Sequence, residues 1–135
     1  MTDVKKPAPL VLLIEDEISI RNSLTIFLED YGFDTQEAED GKDGLAMIQA
    51  IDPDIVLCDL RMPGMDGMEV LATVQQIRPG LPVIIISGTS LGEEIEEAIK
   101  MGAFAYIVKP IVDLTELLDK IQQALEAKSH QNPEI

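Results

Sequence analysis

Short apolar runs alternate with stretches of helical periodicity along almost the whole chain, and this alternation is its strongest constraint. Residues 10–14 (Leu-Val-Leu-Leu-Ile), 55–58 (Ile-Val-Leu-Cys) and 83–86 (Val-Ile-Ile-Ile) contain no polar side chain. Such runs are the pattern of strands buried on both faces of a parallel sheet. Residues 104–108 read as a further strand, and the more polar residues 33–37 as an edge strand. Between them, apolar residues recur at helical spacing: Ile20, Leu24, Phe27, Leu28 and Tyr31; Leu45, Ile48 and Ile51; Met68, Leu71 and Val74; Leu91, Ile95, Ala98 and Ile99; Leu114, Leu117, Leu118, Ile121 and Leu125. The third helix is expected over about residues 67–78, with Asp66 as its cap. Gly32, Asp40-Gly41, Asp52-Pro53, Pro79-Gly80 and Gly102 punctuate the elements. Five strands alternating with five helices predict an α/β fold, a three-layer α/β/α sandwich on a parallel sheet with right-handed crossovers.

Ligands of open α/β sheets bind outside the carboxyl ends of the strands. Four of the five ends here carry polar groups: Glu15-Asp16-Glu17, Asp59, Ser87-Gly88-Thr89 and Lys109-Pro110. Each has a bland reading: Glu15 and Asp16 as helix caps, Ser87 as a turn residue, Lys109 as a surface lysine. Their joint occurrence at one sheet edge favours a site. Converging carboxylates repel one another, and a divalent cation relieves the repulsion. An all-oxygen set suits Mg²⁺ or Mn²⁺, and Mg²⁺ commonly adds a phosphate oxygen to one or two carboxylates. A carboxylate is itself a nucleophile toward phosphorus. Lys109 supplies a point charge to a phosphoryl group, and the Ser87 hydroxyl and Gly88 N–H supply donors.

The chain has 135 residues, which is one domain: a core unit over residues 10–128, a polar leader over 1–9, and a polar tail or start of a linker over 129–135. Ten Lys and Arg against 25 Asp and Glu give a formal net charge of −15, which argues against direct contact with nucleic acid. The single cysteine, Cys58, rules out an internal disulfide and reads as a small core residue. No apolar run approaches the ~20 residues of a membrane span, and the leader lacks a signal-peptide core, so the cytoplasm is the expected compartment.

These residues resemble the receiver domain of two-component response regulators over about residues 10–127. The motifs are the acidic pair Glu15-Asp16, Asp59 followed by Met62-Pro63-Gly64-Met65-Asp66-Gly67, Ser87-Gly88, and Tyr106 with Lys109-Pro110. The resemblance implies a flavodoxin-like sheet of order 2-1-3-4-5. It implies that Asp59 accepts a phosphoryl group from a sensor histidine kinase or a small acyl phosphate. Asp16, Asp59 and the backbone carbonyl of Arg61 would be direct Mg²⁺ ligands, and Glu15 would act through a metal-bound water. Ser87, Gly88, Lys109 and the backbone at Leu60 and Arg61 would bind the phosphoryl group. The Lys109-Pro110 bond would be cis. Ser87 and Tyr106 would be the switch residues that re-shape the face of the fourth helix, fifth strand and fifth helix, where a protein partner, a fused output domain or a second copy would dock. Arg61 and Thr89 would influence the phosphoryl lifetime. Three departures from the family pattern stand out: Glu15 where Asp is also common, Gly88 where Ala is frequent, and the apolar pair Phe104-Ala105.

Other classes fit less well. An aspartate-nucleophile phosphatase needs an acid two residues after Asp59, where Arg61 stands. A flavodoxin needs a phosphate-binding loop after the first strand, where Glu15-Asp16-Glu17 would repel one. The expectation is therefore a phosphoacceptor rather than an enzyme. A receiver acting without phosphorylation is the remaining alternative. Residues 109–114 (Lys-Pro-Ile-Val-Asp-Leu) look similar to receivers with phosphatase-type outputs or sigma-factor-adaptor roles.

Overall fold

The computed structural model describes residues 7–131. Five strands and five helices alternate: β1 Leu10–Ile14, α1 Ile18–Asp30, β2 Asp34–Ala38, α2 Gly41–Ile51, β3 Ile55–Asp59, α3 Gly67–Ile77, β4 Val83–Ser87, α4 Gly92–Lys100, β5 Ala105–Val108 and α5 Leu114–Gln131. All strand pairs are parallel, in the order β2-β1-β3-β4-β5. This is the three-layer flavodoxin-like architecture.

Strand alternation divides the core in two. Leu12, Ile14, Val56, Cys58, Val83 and Ile85 point to one face, where Ile48 of α2, Val70, Leu71 and Val74 of α3 and Ala98 of α4 cover them. Val11, Leu13, Ile55, Leu57, Ile84 and Ile86 point to the other, under Leu24 and Leu28 of α1 and Leu117, Ile121 and Ala124 of α5. Cys58 is fully buried, and burial pushes its thiol far up, so it is inert packing.

Local signals end the elements where the chemistry requires it. Asp40 caps α2 through the Asp43 N–H, and Asp66 with Glu69 forms a reciprocal capping box on α3. Gly32 and Gly102 adopt positive φ after α1 and α4.

Boundaries of four elements differ from the sequence reading. Phe33 follows the turn at Gly32, where its N–H closes back onto the Leu28 carbonyl at 3.1 Å, so β2 is shifted by one residue at both ends, to Asp34–Ala38. β5 begins at Ala105; the Phe104 N–H still pairs with the Val83 carbonyl, but its ring is exposed. Ala105 is buried, so only Phe104 of that apolar pair reaches the surface. α3 ends at Ile77, and the Arg78 side chain turns to Asp52. α5 continues to Gln131, past the expected start of the tail. Lys128 near its end lies 3.9 Å from the Asp54 carboxylate, and this contact ties the last turns to the start of β3. The remaining tail, 132–135, and leader residues 1–6 lie outside the described residues. Pro9 accepts the Asp34 N–H at 3.0 Å.

Gly67 is set by contact rather than by dihedral freedom. A Cβ there would stand 2.5 Å from the Asp59 carbonyl oxygen and 2.7 Å from the Leu60 Cα, both backbone atoms that cannot yield. Gly67→Ala is expected to destabilise the domain by about 2–3 kcal/mol, the upper range of overpacking. At Gly88 the same methyl meets nothing within 4 Å. Gly88→Ala is expected to change stability by less than about 0.5 kcal/mol. Urea unfolding of the two variants checks both.

Candidate functional site at the carboxyl edge of the sheet

The strand order reverses between β1 and β3, which run to opposite sides of the sheet. A crevice opens at such a switch point. Leu13 pairs with Leu57 across it, and both face the α1/α5 layer. Two residues further along each strand, on that same face, come Glu15 and Asp59. Lys109 stands two residues after Ile107, which also faces that layer.

The Lys109 Nζ lies 2.8 Å from Glu15 Oε1 and 3.1 Å from Asp59 Oδ2. Glu15 is 2% and Asp59 6% exposed, so one ammonium serves two nearly buried carboxylates. The second Glu15 oxygen accepts the Glu17 N–H at 3.1 Å, and Asp59 Oδ1 accepts the Arg61 N–H at 3.4 Å. The longer Glu15 arm thus reaches Lys109 directly. Neither Glu15 nor Asp16 is the N-cap of α1; Glu17 holds that position, with no side-chain cap bond.

Both titration shifts have one origin. Burial raises Glu15 above the usual carboxylate range; the bonds from Lys109 and the Glu17 N–H offset part of this, and the Asp59 charge adds to it. Burial disfavours the Lys109 ammonium, but the bond to Glu15 and the Asp59 charge outweigh it and hold Lys109 above its ordinary value.

Carboxylate oxygens of Glu15, Asp16 and Asp59 all lie within 4.8 Å of one another. Asp16 is exposed, so the cluster opens to water on one side. Three carboxylates against one ammonium leave excess negative charge on hard oxygen donors. That set fits a hydrated divalent cation such as Mg²⁺. A second acidic group, Glu39, Asp40 and Asp43, has a plainer role, because Asp40 is the α2 cap.

On the other side of the crevice, Ser87 is fully buried at the end of β4, and its Oγ accepts the Thr89 N–H at 3.3 Å. Gly88 is exposed beside it. The Lys109 N–H donates to the Ser87 carbonyl at 2.7 Å. The Tyr106 hydroxyl donates to the Thr89 carbonyl at 3.0 Å. The Lys109-Pro110 bond is cis. Leu60 is buried, and its carbonyl accepts the Gly67 N–H. The Arg61 guanidinium pairs with Glu94 of α4. The structure therefore gathers Glu15, Asp16, Asp59 and Lys109 into one cluster, while the polar ends of Tyr106 and Arg61 bond to Thr89 and Glu94 instead. A groove of about 550 Å³, lined mainly by Ile20, Leu24, Ile111 and Leu114, opens next to Lys109.

Sequence reasoning missed Arg21, whose Nη1 donates to the Glu15 carbonyl at 2.6 Å, and its partner Glu37. A signal existed: Arg21 is the only basic residue between Lys6 and Lys42, and it follows three acids. Glu94 carried no such signal among the acids of α4.

An acidic crevice with one shared lysine at the switch point of this sheet defines a class, and the comparisons agree with it. Residues 11–122 match the family model described as response regulator receiver domain, and the chain belongs to that family of two-component signalling domains. Among its relatives are the regulatory protein AtoC of Escherichia coli (37% identical over 119 residues, 88% of this chain and 26% of AtoC) and the DNA-binding transcriptional regulator NtrC of Salmonella typhimurium (36% over 116 residues, 86% of this chain and 24% of NtrC). The chain spans about a quarter of the length of these curated relatives. A receiver domain from Methanospirillum hungatei superposes with a TM-score of 0.87 at 30% identity, covering 93% of this chain and 99% of its own. NtrX from Brucella abortus gives 0.86 at 32%, covering 92% of this chain and 28% of NtrX. Receiver domains of this family are phosphoacceptors rather than catalytic enzymes. Among the described residues, no helix is long and apolar enough to cross a membrane.

Proposed function

We propose that this receiver accepts a phosphoryl group on Asp59 from a sensor histidine kinase or a small acyl phosphate, in the cytoplasm. The observation that carries the reading is the Asp59 carboxylate itself, nearly buried, held 3.1 Å from Lys109 and within an oxygen cluster suited to a divalent cation. An Asp59 oxygen attacks phosphorus; a new O–P bond forms as the P–N bond of phosphohistidine or the P–O bond of an acyl phosphate breaks. Charge on the three equatorial oxygens then needs neutralising from several sides. Lys109 neutralises one, and the Ser87 hydroxyl and the N–H groups at Gly88, Leu60 and Arg61 donate to the others. Asp16, Asp59 and the Arg61 carbonyl would hold Mg²⁺ (or Mn²⁺) directly, with Glu15 acting through water. The bound ion supplies charge neutralisation and orients the incoming phosphoryl group. The groove beside Lys109 offers a donor protein an apolar seat next to the acceptor.

For the Ser87 hydroxyl to reach the phosphoryl group, it would give up the Thr89 N–H. Tyr106 would then release the Thr89 carbonyl and swing inward. That change would re-shape the face of α4, β5 and α5, where Leu91, Ile99, Phe104 and Val108 are exposed for a protein partner or a second copy. Arg61, whose N–H meets Asp59 Oδ1, and Thr89, whose N–H meets Ser87 Oγ, would tune how long the phosphoryl group survives. Among the relatives, NtrC is a DNA-binding transcriptional regulator, which favours a transcriptional output over the phosphatase-type or sigma-factor-adaptor output. The charge of −15 supports delivery of that output by protein contact rather than by this domain touching DNA.

Incubation with acetyl phosphate and Mg²⁺ is expected to add one phosphoryl group, about 80 Da by intact mass, and EDTA is expected to abolish the gain. A wild type that gains no mass from acetyl phosphate or from a panel of histidine kinases would overturn the reading in favour of signalling by binding alone.

A further inference from the structure

We infer that Arg21 is a positioning residue for the metal-holding loop, braced by Glu37 of the edge strand and, through Glu37, by Thr25 of α1. The inference rests on the phosphoacceptor reading above, and it concerns how the loop after β1 is kept in shape. That loop has an unusual load. It carries Glu15, Asp16 and Glu17 in succession, and like charges this close push apart.

Glu15 is held at every other polar group: its N–H bonds to the Ala38 carbonyl at 3.1 Å, and its carboxylate to Lys109 and the Glu17 N–H. Its carbonyl is the remaining group, and Arg21 Nη1 takes it at 2.6 Å. That carbonyl belongs to the peptide unit that also contains the Asp16 nitrogen. Fixing the plane of this unit fixes the direction in which Asp16 leaves the strand. Asp16 needs this help, because its exposed carboxylate has no hydrogen-bond partner among the described residues.

Arg21 is itself held. Its Nε donates to Glu37 Oε1 at 3.0 Å, and the other Glu37 oxygen accepts the Thr25 hydroxyl at 2.9 Å. The Arg21 side chain is 12% exposed and that of Glu37 34%, so the guanidinium end of the fork is the more shielded from water. A planar guanidinium serves a carbonyl and a carboxylate at once; a lysine ammonium on a flexible stem does not hold that geometry. The sequence Thr25–Glu37–Arg21–Glu15 carbonyl is thus a brace running from β2 and α1 to the loop that presents Asp16. Groups that orient metal ligands without touching the metal typically alter affinity by 10- to 100-fold when removed.

The test reads Mg²⁺ affinity from the rise in thermal midpoint across a MgCl₂ titration of the whole chain, which requires no phosphorylation. Arg21→Ala is expected to raise the Mg²⁺ concentration for the half-maximal rise about tenfold or more, with Arg21→Lys and Glu37→Gln intermediate. Acetyl-phosphate labelling of Arg21→Ala is expected to recover toward the wild-type rate at saturating Mg²⁺, which a globally damaged fold would not do. Should Arg21→Ala not fold, Glu37→Gln and Arg21→Lys carry the test. Half-maximal concentrations within twofold of wild type, with only the metal-free midpoint lowered, would make Arg21 a purely structural clamp and overturn the inference alone. A wild type whose midpoint ignores MgCl₂ would instead overturn the metal reading, and this inference with it.

Discussion

Asp59→Asn is expected to take up no phosphoryl group under conditions that label the wild type fully, a loss of the whole mass gain. An amide oxygen has neither the charge nor the basicity of the carboxylate nucleophile. The loss should not come from misfolding. Lys109 keeps its 2.8 Å bond to Glu15 in the variant, and one of three mutually repelling carboxylates becomes neutral. The metal-free thermal midpoint of Asp59→Asn is therefore expected to equal or exceed that of the wild type, while its rise on adding MgCl₂ shrinks. Intact mass and differential scanning fluorimetry on one preparation read both quantities. A labelled Asp59→Asn chain would move the acceptor to another residue.

Lys109→Ala is expected to have the largest effect on stability. It removes the single cation from between two carboxylates that are almost out of water. Removing one partner of a buried ion pair typically costs about 3–5 kcal/mol, because the remaining charge stays buried and unpaired. Two features predict how that deficit varies. A divalent cation held by this cluster would supply charge to its carboxylates, so the deficit is expected to narrow as MgCl₂ is added. Glu15 already lies above its usual value of 4.5 through burial, and loss of Lys109 raises it further. A carboxyl whose folded pKa is raised binds protons more readily in the folded state, so stability increases as pH falls through the folded value toward the unfolded one. The variant's deficit is therefore expected to narrow between neutral pH and about pH 5, whereas wild-type Lys109 stays charged throughout. Urea midpoints at pH 7 and pH 5, with and without MgCl₂, give the four values needed. A deficit that is unchanged by both acid and metal would show that Lys109 acts by packing and not by charge.

What neighbours along the chain decide was legible in advance. Unbroken apolar runs marked β1, β3 and β4, and Asp66 stood where a cap was needed. The polar residues closing those runs pointed to one sheet edge, because all parallel strands end on the same side. Such features depend on backbone dihedrals and side-chain periods spanning a few residues. Boundaries slipped where a distant partner decided them: the Lys128 contact with Asp54 spans 74 positions and accompanies a helix that continues past the expected end of α5.

The sequence by itself therefore determined the elements, their alternation and the residue types available at the carboxyl edge. Only the tertiary structure decided which of those residues meet. Glu15 and Lys109 are 94 positions apart, and their 2.8 Å contact exists because the order β2-β1-β3-β4-β5 and its register bring the ends of three strands to one crevice. The same packing turns Gly67 from a turn residue into the point where α3 touches the Asp59 backbone. It turns Arg21 from a helix-surface cation into a bond on the Glu15 carbonyl. The physical reason is range: a strand's alternation sets the face a side chain points to, while strand order and register set what stands opposite it.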